Sequence, residues 1–187
     1  RYANLAQQNL QNMFDSFADP LRLLELANLQ AVLGAYAQAW NLLLSAESKF
    51  HKSKDPVFAF ELNTNKALVM QGQGQLAQAA YYRKLALDAI LPSGFAGKIS
   101  VAYLNLGRTE QLLEHFGLAL GYYEQALPYL HAGDDDIRLN NALIRLSEIC
   151  LQLQKFEQAR HYFLQIDVKT IEPSYQPSYQ LLQQRFR

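Results

Sequence analysis

The feature of the sequence that most constrains its fold is an internal repeat of 40 residues. Alanine recurs at this interval at Ala39, Ala79, Ala119 and Ala159. Twelve residues before each of these alanines stands a small residue, in the series Ala27, Ala67, Gly107 and Ser147. Four prolines recur every 36 residues instead, at Pro20, Pro56, Pro92 and Pro128. Because a proline only marks a place where a helix breaks, whereas the other columns carry packing, we take 40 as the period.

Within each repeat, apolar residues three and four apart predict two helices joined by a turn. Leu23 and Ala27 share one face of the first helix, and Gly34, Gly72 and Gly74 predict turns. The 33 Leu and 23 Ala residues favour helix, and only 15 residues are Val, Ile or Thr. The predicted helix pairs span residues 20–33 and 35–50, 57–71 and 75–90, 96–112 and 115–130, and 136–152 and 156–166.

The repeat resembles the tetratricopeptide repeat (TPR), whose signature is Trp-x2-Leu-Gly-x2-Tyr, then Ala-x3-Phe and Pro. The third repeat carries it as Tyr103, Leu106, Gly107, Ala119 and Tyr123. The second repeat departs from it, with Asn63, Lys66 and Arg83 at apolar positions, and the closing proline is absent throughout. The resemblance implies an all-α, right-handed α–α superhelix, a TPR-like solenoid of about four helical hairpins. Its 40-residue spacing is similar to TPR variants in bacterial signalling and transcription regulators.

We expect residues 1–187 to form a single helical-repeat domain. Its units span about 20–59, 60–99, 100–139 and 140–179, with partial units at 1–19 and 180–187. Ala6 and Leu10 match the second helix of a preceding unit, and residues 177–187 match either the first helix of a fifth unit or a capping helix. A half-unit at each end suggests a fragment of a larger protein.

The charge balance and the cysteine count limit the partners and the compartment. Lys and Arg number 17, as do Asp and Glu, so nothing favours nucleic acid as a partner of this domain. The uncharged stretch 27–46 contains Asn, Gln, Gly and Ser, and we interpret it as amphipathic helix and not as a membrane span. One cysteine, Cys150, is consistent with a cytoplasmic protein and equally with a disulfide-free periplasmic sensor domain.

No group of residues predicts catalysis, a metal or a cofactor, so we expect a protein that is not an enzyme. The four histidines lack a second ligand at a metal-binding spacing, and Cys150 is expected to be a buried, inert thiol. Asp134, Asp135 and Asp136 lack the alternation of a calcium loop and are expected to cap a helix.

Candidate binding residues follow from the TPR resemblance, which implies that the first helices of successive units line a concave groove for a partner segment. The candidates are Asn28, Glu61, Asn65, Asn105, Arg108, Arg145 and Glu148. Asn amides can pair with a peptide backbone, and Arg can bind a carboxylate. The alternative is that these residues are only the solvated stripe of amphipathic helices. Leu24 and Val101 stand where lysines of a TPR carboxylate clamp would be, so that clamp is disfavoured.

Three functions remain open. The first is a protein- or peptide-binding module, the interaction or regulatory part of a larger signalling or assembly protein. The second is the small-effector-sensing domain of a bacterial transcription regulator or sensor. The third is a self-association or spacer module.

Overall fold

The computed structural model describes residues 20–133 and 135–186, so the predicted partial unit 1–19 and Asp134 lie outside the described residues. Within those ranges the chain is helical and contains no strand. The α-helices are α1 (Pro20–Val32), α2 (Tyr36–Lys49), α3 (Pro56–Gly72), α4 (Leu76–Ile90), α5 (Ala96–Leu112), α6 (Phe116–Ala132), α7 (Asp136–Gln152), α8 (Phe156–Phe163) and α9 (Gln176–Arg185). They confirm the all-α prediction, and the predicted boundaries lie within three residues of those observed.

The turns inside the four hairpins share one backbone conformation. A residue with positive φ occupies the same place in each turn, at Gly34 (79°), Gly74 (76°), Glu114 (61°) and Gln154 (58°). The next N–H donates to a carbonyl five residues earlier, from Ala35 to Gln30 at 2.9 Å and from Lys155 to Cys150 at 2.8 Å. This bond is that of a Schellman cap, which ends a helix by satisfying its last carbonyls. Because the four turn residues are 40 apart, they confirm the period.

The structure corrects the turn predicted at Gly72. Gly72 was expected in a turn but is the last residue of α3, where a Cβ atom would approach the Tyr36 ring to 2.3 Å. Glycine therefore makes room for that ring. Pro128 lies inside α6, as it does in the predicted helix 115–130, so this proline of the 36-residue series marks no junction. Pro128 is exposed, whereas Ala126 and Leu130 on either side of it are buried.

The alanine column is fully buried in all four hairpins. Ala39, Ala79, Ala119 and Ala159 each have 0% exposed surface. In the first hairpin Ala39 belongs to one apolar cluster with Leu23 and Ala27 of α1. The column of small residues is also closely packed at Gly107, where an added Cβ atom would lie 3.1 Å from the Tyr123 ring. Small residues thus let the helices of a hairpin come close together.

The helices pack in two compact units, Arg1–Ser93 and Gly94–Arg187. In the described part of the N-terminal unit, α1–α2 and α3–α4 are hairpins, and both helices of the first hairpin contact α3. In the C-terminal unit, α5–α6 and α7–α8 are hairpins, α6 packs on α7, and α9 also contacts α7. That the whole chain forms a single domain stays a prediction.

Helix α8 ends at Phe163, three residues before its predicted end. The side chain of Asn140 on α7 explains the difference. Its Nδ2 donates to the carbonyl of Asp167 at 2.8 Å, and its Oδ1 accepts the Asp167 N–H at 2.9 Å. Both backbone groups of Asp167 are therefore bonded to α7. A helix at 176–185 follows, at the predicted place, as either a fifth unit or a cap would require.

Ala119→Leu should lower the free energy of unfolding by about 1–3 kcal/mol, because an added side chain cannot fit a site with no exposed surface. Ala132→Leu is the matched control, since Ala132 is an exposed residue at the end of the same helix. Urea unfolding followed by circular dichroism measures both variants. Equal stabilities would show that Ala119 does not lie at the close contact.

Gly74→Ala should destabilise the chain by about 1 kcal/mol through its backbone alone, because an L-residue is strained at φ 76° and no atom lies within 4 Å of the new Cβ. Gly121→Ala in α6 is the control, with equally open space but helical backbone. It should stabilise by about 0.5–1 kcal/mol. Thermal melts should therefore shift in opposite directions. A shift of both variants in the same direction would contradict the strain argument.

Candidate functional site

In the N-terminal unit, two of the candidate residues bind each other. The Nδ2 atom of Asn28 on α1 donates to Oδ1 of Asn65 on α3 at 2.8 Å. Asn65 donates in turn to the carbonyl of Leu24 at 3.4 Å, and only 5% of its surface is exposed. Asn65, one of the groove candidates, thus links two successive hairpins and is largely covered. Asn28 is exposed and Glu61 half-buried, so both are accessible.

The apolar positions that Lys66 and Arg83 occupy in the second repeat are buried, and each of these charged residues has a polar partner. The Nζ atom of Lys66 lies 2.7 Å from the carboxylate of Glu47 and 5.4 Å from the centre of the Tyr82 ring. Arg83 donates to Oε1 of Gln71 at 2.6 Å. A charge inside a protein is tolerated when it is paired in this way. These contacts explain how the degenerate repeat keeps the hairpin fold.

In the C-terminal unit, four candidate residues lie in or beside one cleft of about 140 Å³. Asn105 and Arg108 reach it from α5, and Arg145 from α7. Glu148 is bound to Arg145, with 2.9 Å between its carboxylate and the guanidinium. Since α5 and α7 are the first helices of successive hairpins, the 40-residue register brings these polar side chains together.

Three guanidinium groups line the cleft, and two of them are paired with a carboxylate. Arg138 is paired with Asp135 at the start of α7. Burial would lower the pKa of Arg145, but the carboxylate of Glu148 and the hydroxyl of Tyr175 outweigh it and raise that pKa. Arg108 is exposed and makes neither an ion pair nor a hydrogen bond to a residue that the structure describes. Arg108 is therefore the positive charge available to a ligand.

Tyr123 of α6 forms part of the cleft wall. Its side chain is buried, and its hydroxyl donates to Oε1 of Gln111 at 3.4 Å. Burial raises the pKa of Tyr123 well above its usual value, so the hydroxyl stays neutral at physiological pH. The cleft wall at Tyr123 therefore carries a neutral hydroxyl, and the positive charge of the cleft comes from its arginines.

Sequence reasoning missed three residues that line this cleft: Arg138, Asn141 and Tyr175. Asn141 occupies the same repeat position as the candidate Glu61, and this shared position is the sequence signal that could have identified it. Tyr175 lies beyond the last repeat column, yet its ring centre is 5.0 Å from the Arg145 guanidinium carbon. No periodicity connects those two residues, so only the tertiary structure could place Tyr175 here.

The groups considered for chemistry lie elsewhere. Cys150 is fully buried, and burial raises the pKa of its thiol to about 11. His115 is bonded to the carboxylate of Glu110 at 2.8 Å, and Asp135 caps α7 as predicted. Among the described residues, no three His, Cys, Asp or Glu side chains are close enough to share a metal ion. None of the described helices has the length and apolar character to cross a bilayer.

Asn65 and Asn105 share one repeat position, but Asn65 links two hairpins and Asn105 lines a cleft. The free energies of unfolding of two alanine variants test this difference. Asn65→Ala should lower the free energy of unfolding by about 1–2 kcal/mol, because it removes the link from α3 to Asn28 and to the Leu24 carbonyl. Asn105→Ala should cost less than about 0.5 kcal/mol, because Asn105 is half exposed at a cleft. Urea titrations compare the two variants, and equal costs would refute the distinction.

By sequence, neither a protein-family model nor a curated protein matches the chain. Solved structures do match. The crystal structure of BtubC (BKLC) from P. vanneervenii has a TM-score of 0.75 and 18% identity, covering 98% of this chain and 81% of that one. A putative kinesin light chain of Podospora anserina with nearly identical TPR-like repeats has a TM-score of 0.67 and 18% identity, with 88% and 83% covered.

A third match is a signal transduction ATPase with numerous domains and a tetratricopeptide repeat sensor, from Pyrococcus horikoshii. Its TM-score is 0.69 at 18% identity, covering 90% of this chain but only 25% of that one. At this identity the likeness shows the fold and no shared activity. Together with the 40-residue helical hairpins, it shows that this chain is a helical repeat module with a TPR-like fold.

Proposed function

We propose that this module binds an extended segment of a partner protein, and that the cleft between α5 and α7 is the main contact. The observation that carries the proposal is the convergence of Asn105, Arg108 and Arg145 from two successive first helices. A guanidinium binds a carboxylate in a fixed, two-pronged geometry, and an Asn amide offers a peptide both a donor and an acceptor. In the N-terminal unit, the accessible Asn28 and Glu61 are proposed as further contacts.

The charges of Arg108, Arg145 and Glu148 favour a partner segment of mixed charge over a polyanion. Arg108 has no counter-charge among the described residues, whereas Arg145 already has one in Glu148. A polyanion would gain from one free guanidinium and would be repelled by the acidic Glu148. A peptide with a single carboxylate fits this balance better, because it neutralises Arg108 alone.

The size of the cleft favours a partner side chain over a free small molecule. Pockets for small ligands usually have about 300–1,000 Å³, and this one has about 140 Å³. That volume is enough for one carboxylate with its neighbouring atoms. The TPR sensor in the Pyrococcus horikoshii protein supports a place for this module in a larger signalling protein. The proposed role is binding, without catalysis.

The test is a titration of two double variants with the partner that affinity capture identifies. Asn105→Ala/Arg108→Ala should weaken binding about 10- to 100-fold, because it removes the free charge and an amide of the cleft. Gln125→Ala/Arg160→Ala is the matched control, because it likewise removes one side-chain amide and one guanidinium, at exposed sites on the second helices α6 and α8. It should bind with unchanged affinity.

Circular dichroism must show intact helix in both variants. Equal affinity of the cleft variant and the unmodified chain would place the binding surface elsewhere. Light scattering of the purified chain separates this outcome from self-association, since a module that only associates with itself would be oligomeric without any partner.

A further inference from the structure

Residues 167–175, which we call the strap, connect the end of α8 to α9 and lie along α7. The strap contains two short 3₁₀ turns, Val168–Thr170 and Pro173–Tyr175. Its first residue, Asp167, is held through both of its backbone groups by the Asn140 side chain, at 2.8 and 2.9 Å. An asparagine amide that pairs with N–H and C=O of one residue is a common way to hold an extended peptide.

Two further contacts follow in the same order along α7. The carboxylate of Glu172 accepts a hydrogen bond from Nδ2 of Asn141. The ring of Tyr175 then lies over the Arg145 guanidinium, 5.0 Å from ring centre to carbon. Asn141, Arg145 and Tyr175 all line the cleft that also contains Arg108. The strap thus places one carboxylate and one aromatic ring, three residues apart, on the proposed binding surface.

The strap is attached mainly by partly buried polar contacts, two of them to the buried amide of Asn140. Of its side chains only that of Ile171 is buried, so its release exposes little apolar area. The Oδ1 atom of Asn141 is buried and accepts no hydrogen bond from any residue that the structure describes. Release would let water reach that atom, which further favours an exchangeable contact.

We propose that the strap is an intramolecular occupant of the partner-binding surface, and that partners present the same chemistry, a carboxylate followed three residues later by an aromatic ring. This inference rests on the proposed function of the cleft. A tethered strap acts at an effective concentration of about millimolar, so it competes with a partner. Arg108, which the strap leaves free, gives an incoming segment a contact that the strap lacks.

The experiment uses a fluorescein-labelled peptide with the sequence of residues 167–176, Asp-Val-Lys-Thr-Ile-Glu-Pro-Ser-Tyr-Gln. Fluorescence anisotropy measures its binding to the whole chain and to the release variant Glu172→Ala/Tyr175→Ala. Because this variant removes the strap's own contacts to Asn141 and Arg145, it should bind the peptide at least about tenfold more tightly. Adding Arg145→Ala should remove the gain, as should replacing the peptide's own glutamate by glutamine and its tyrosine by alanine.

Val168→Ala/Lys169→Ala is the matched control, because both residues are exposed strap residues whose side chains make no hydrogen bond or ring contact to α7. It should bind the peptide like the unmodified chain. Hydrogen exchange checks the state of the strap. The Asp167 amide should exchange faster in the release variant, while the amides of α7 stay protected.

Equal peptide affinity of the release variant and the unmodified chain, or no detectable binding to either, would overturn the inference. So would a gain that persists after Arg145→Ala. These failures differ from failure of the proposed function, in which Asn105→Ala/Arg108→Ala leaves partner affinity unchanged. If the cleft variant loses its partner but the release variant gains nothing, the cleft binds and the strap does not compete.

Discussion

The structure depends on the close approach of two helices within each hairpin, which residues without bulk make possible. The alanines 40 residues apart have no exposed surface, and a left-handed residue after the first helix directs the chain back against them. The turn alone is not sufficient, because a large side chain in place of the facing alanine would force the two helices apart. Glu114 and Gln154 accept positive φ, a conformation that is costly for residues other than glycine. Packing of the hairpin offsets that cost.

Once the hairpins of a unit are fixed, its two first helices present equivalent repeat positions, but neighbouring side chains give these positions different roles. Asn65 faces Asn28, a second amide at hydrogen-bonding distance, and becomes part of the scaffold. Asn105 shares its position in the repeat but opens onto a cleft with Arg108. The repeat therefore determines where a side chain lies. The residue opposite it decides whether that side chain links two hairpins or lines a cleft.

The cleft and the strap belong to the same part of the molecule for a simple reason. Helix α7 carries Asn140 and Asn141 in its second turn, and the chain after α8 is long enough to return across them. A short junction would lead directly into the next helix and leave these amides to solvent. The polar start of α7 thus binds the chain's own segment with groups that suit a foreign peptide equally well.

The sequence by itself determined the period, the hairpins and the turn positions, because these depend on residues close together in the chain and on packing that repeats. It also indicated that Asn105, Arg108 and Arg145 would be neighbours, since their positions follow from the register. It did not show the burial of Asn65, the pairing of Lys66 with Glu47 or the place of Tyr175. Each of these contacts joins residues whose separation has no periodic relation to the repeat. Only the tertiary structure could decide them, since it alone determines which side chains meet.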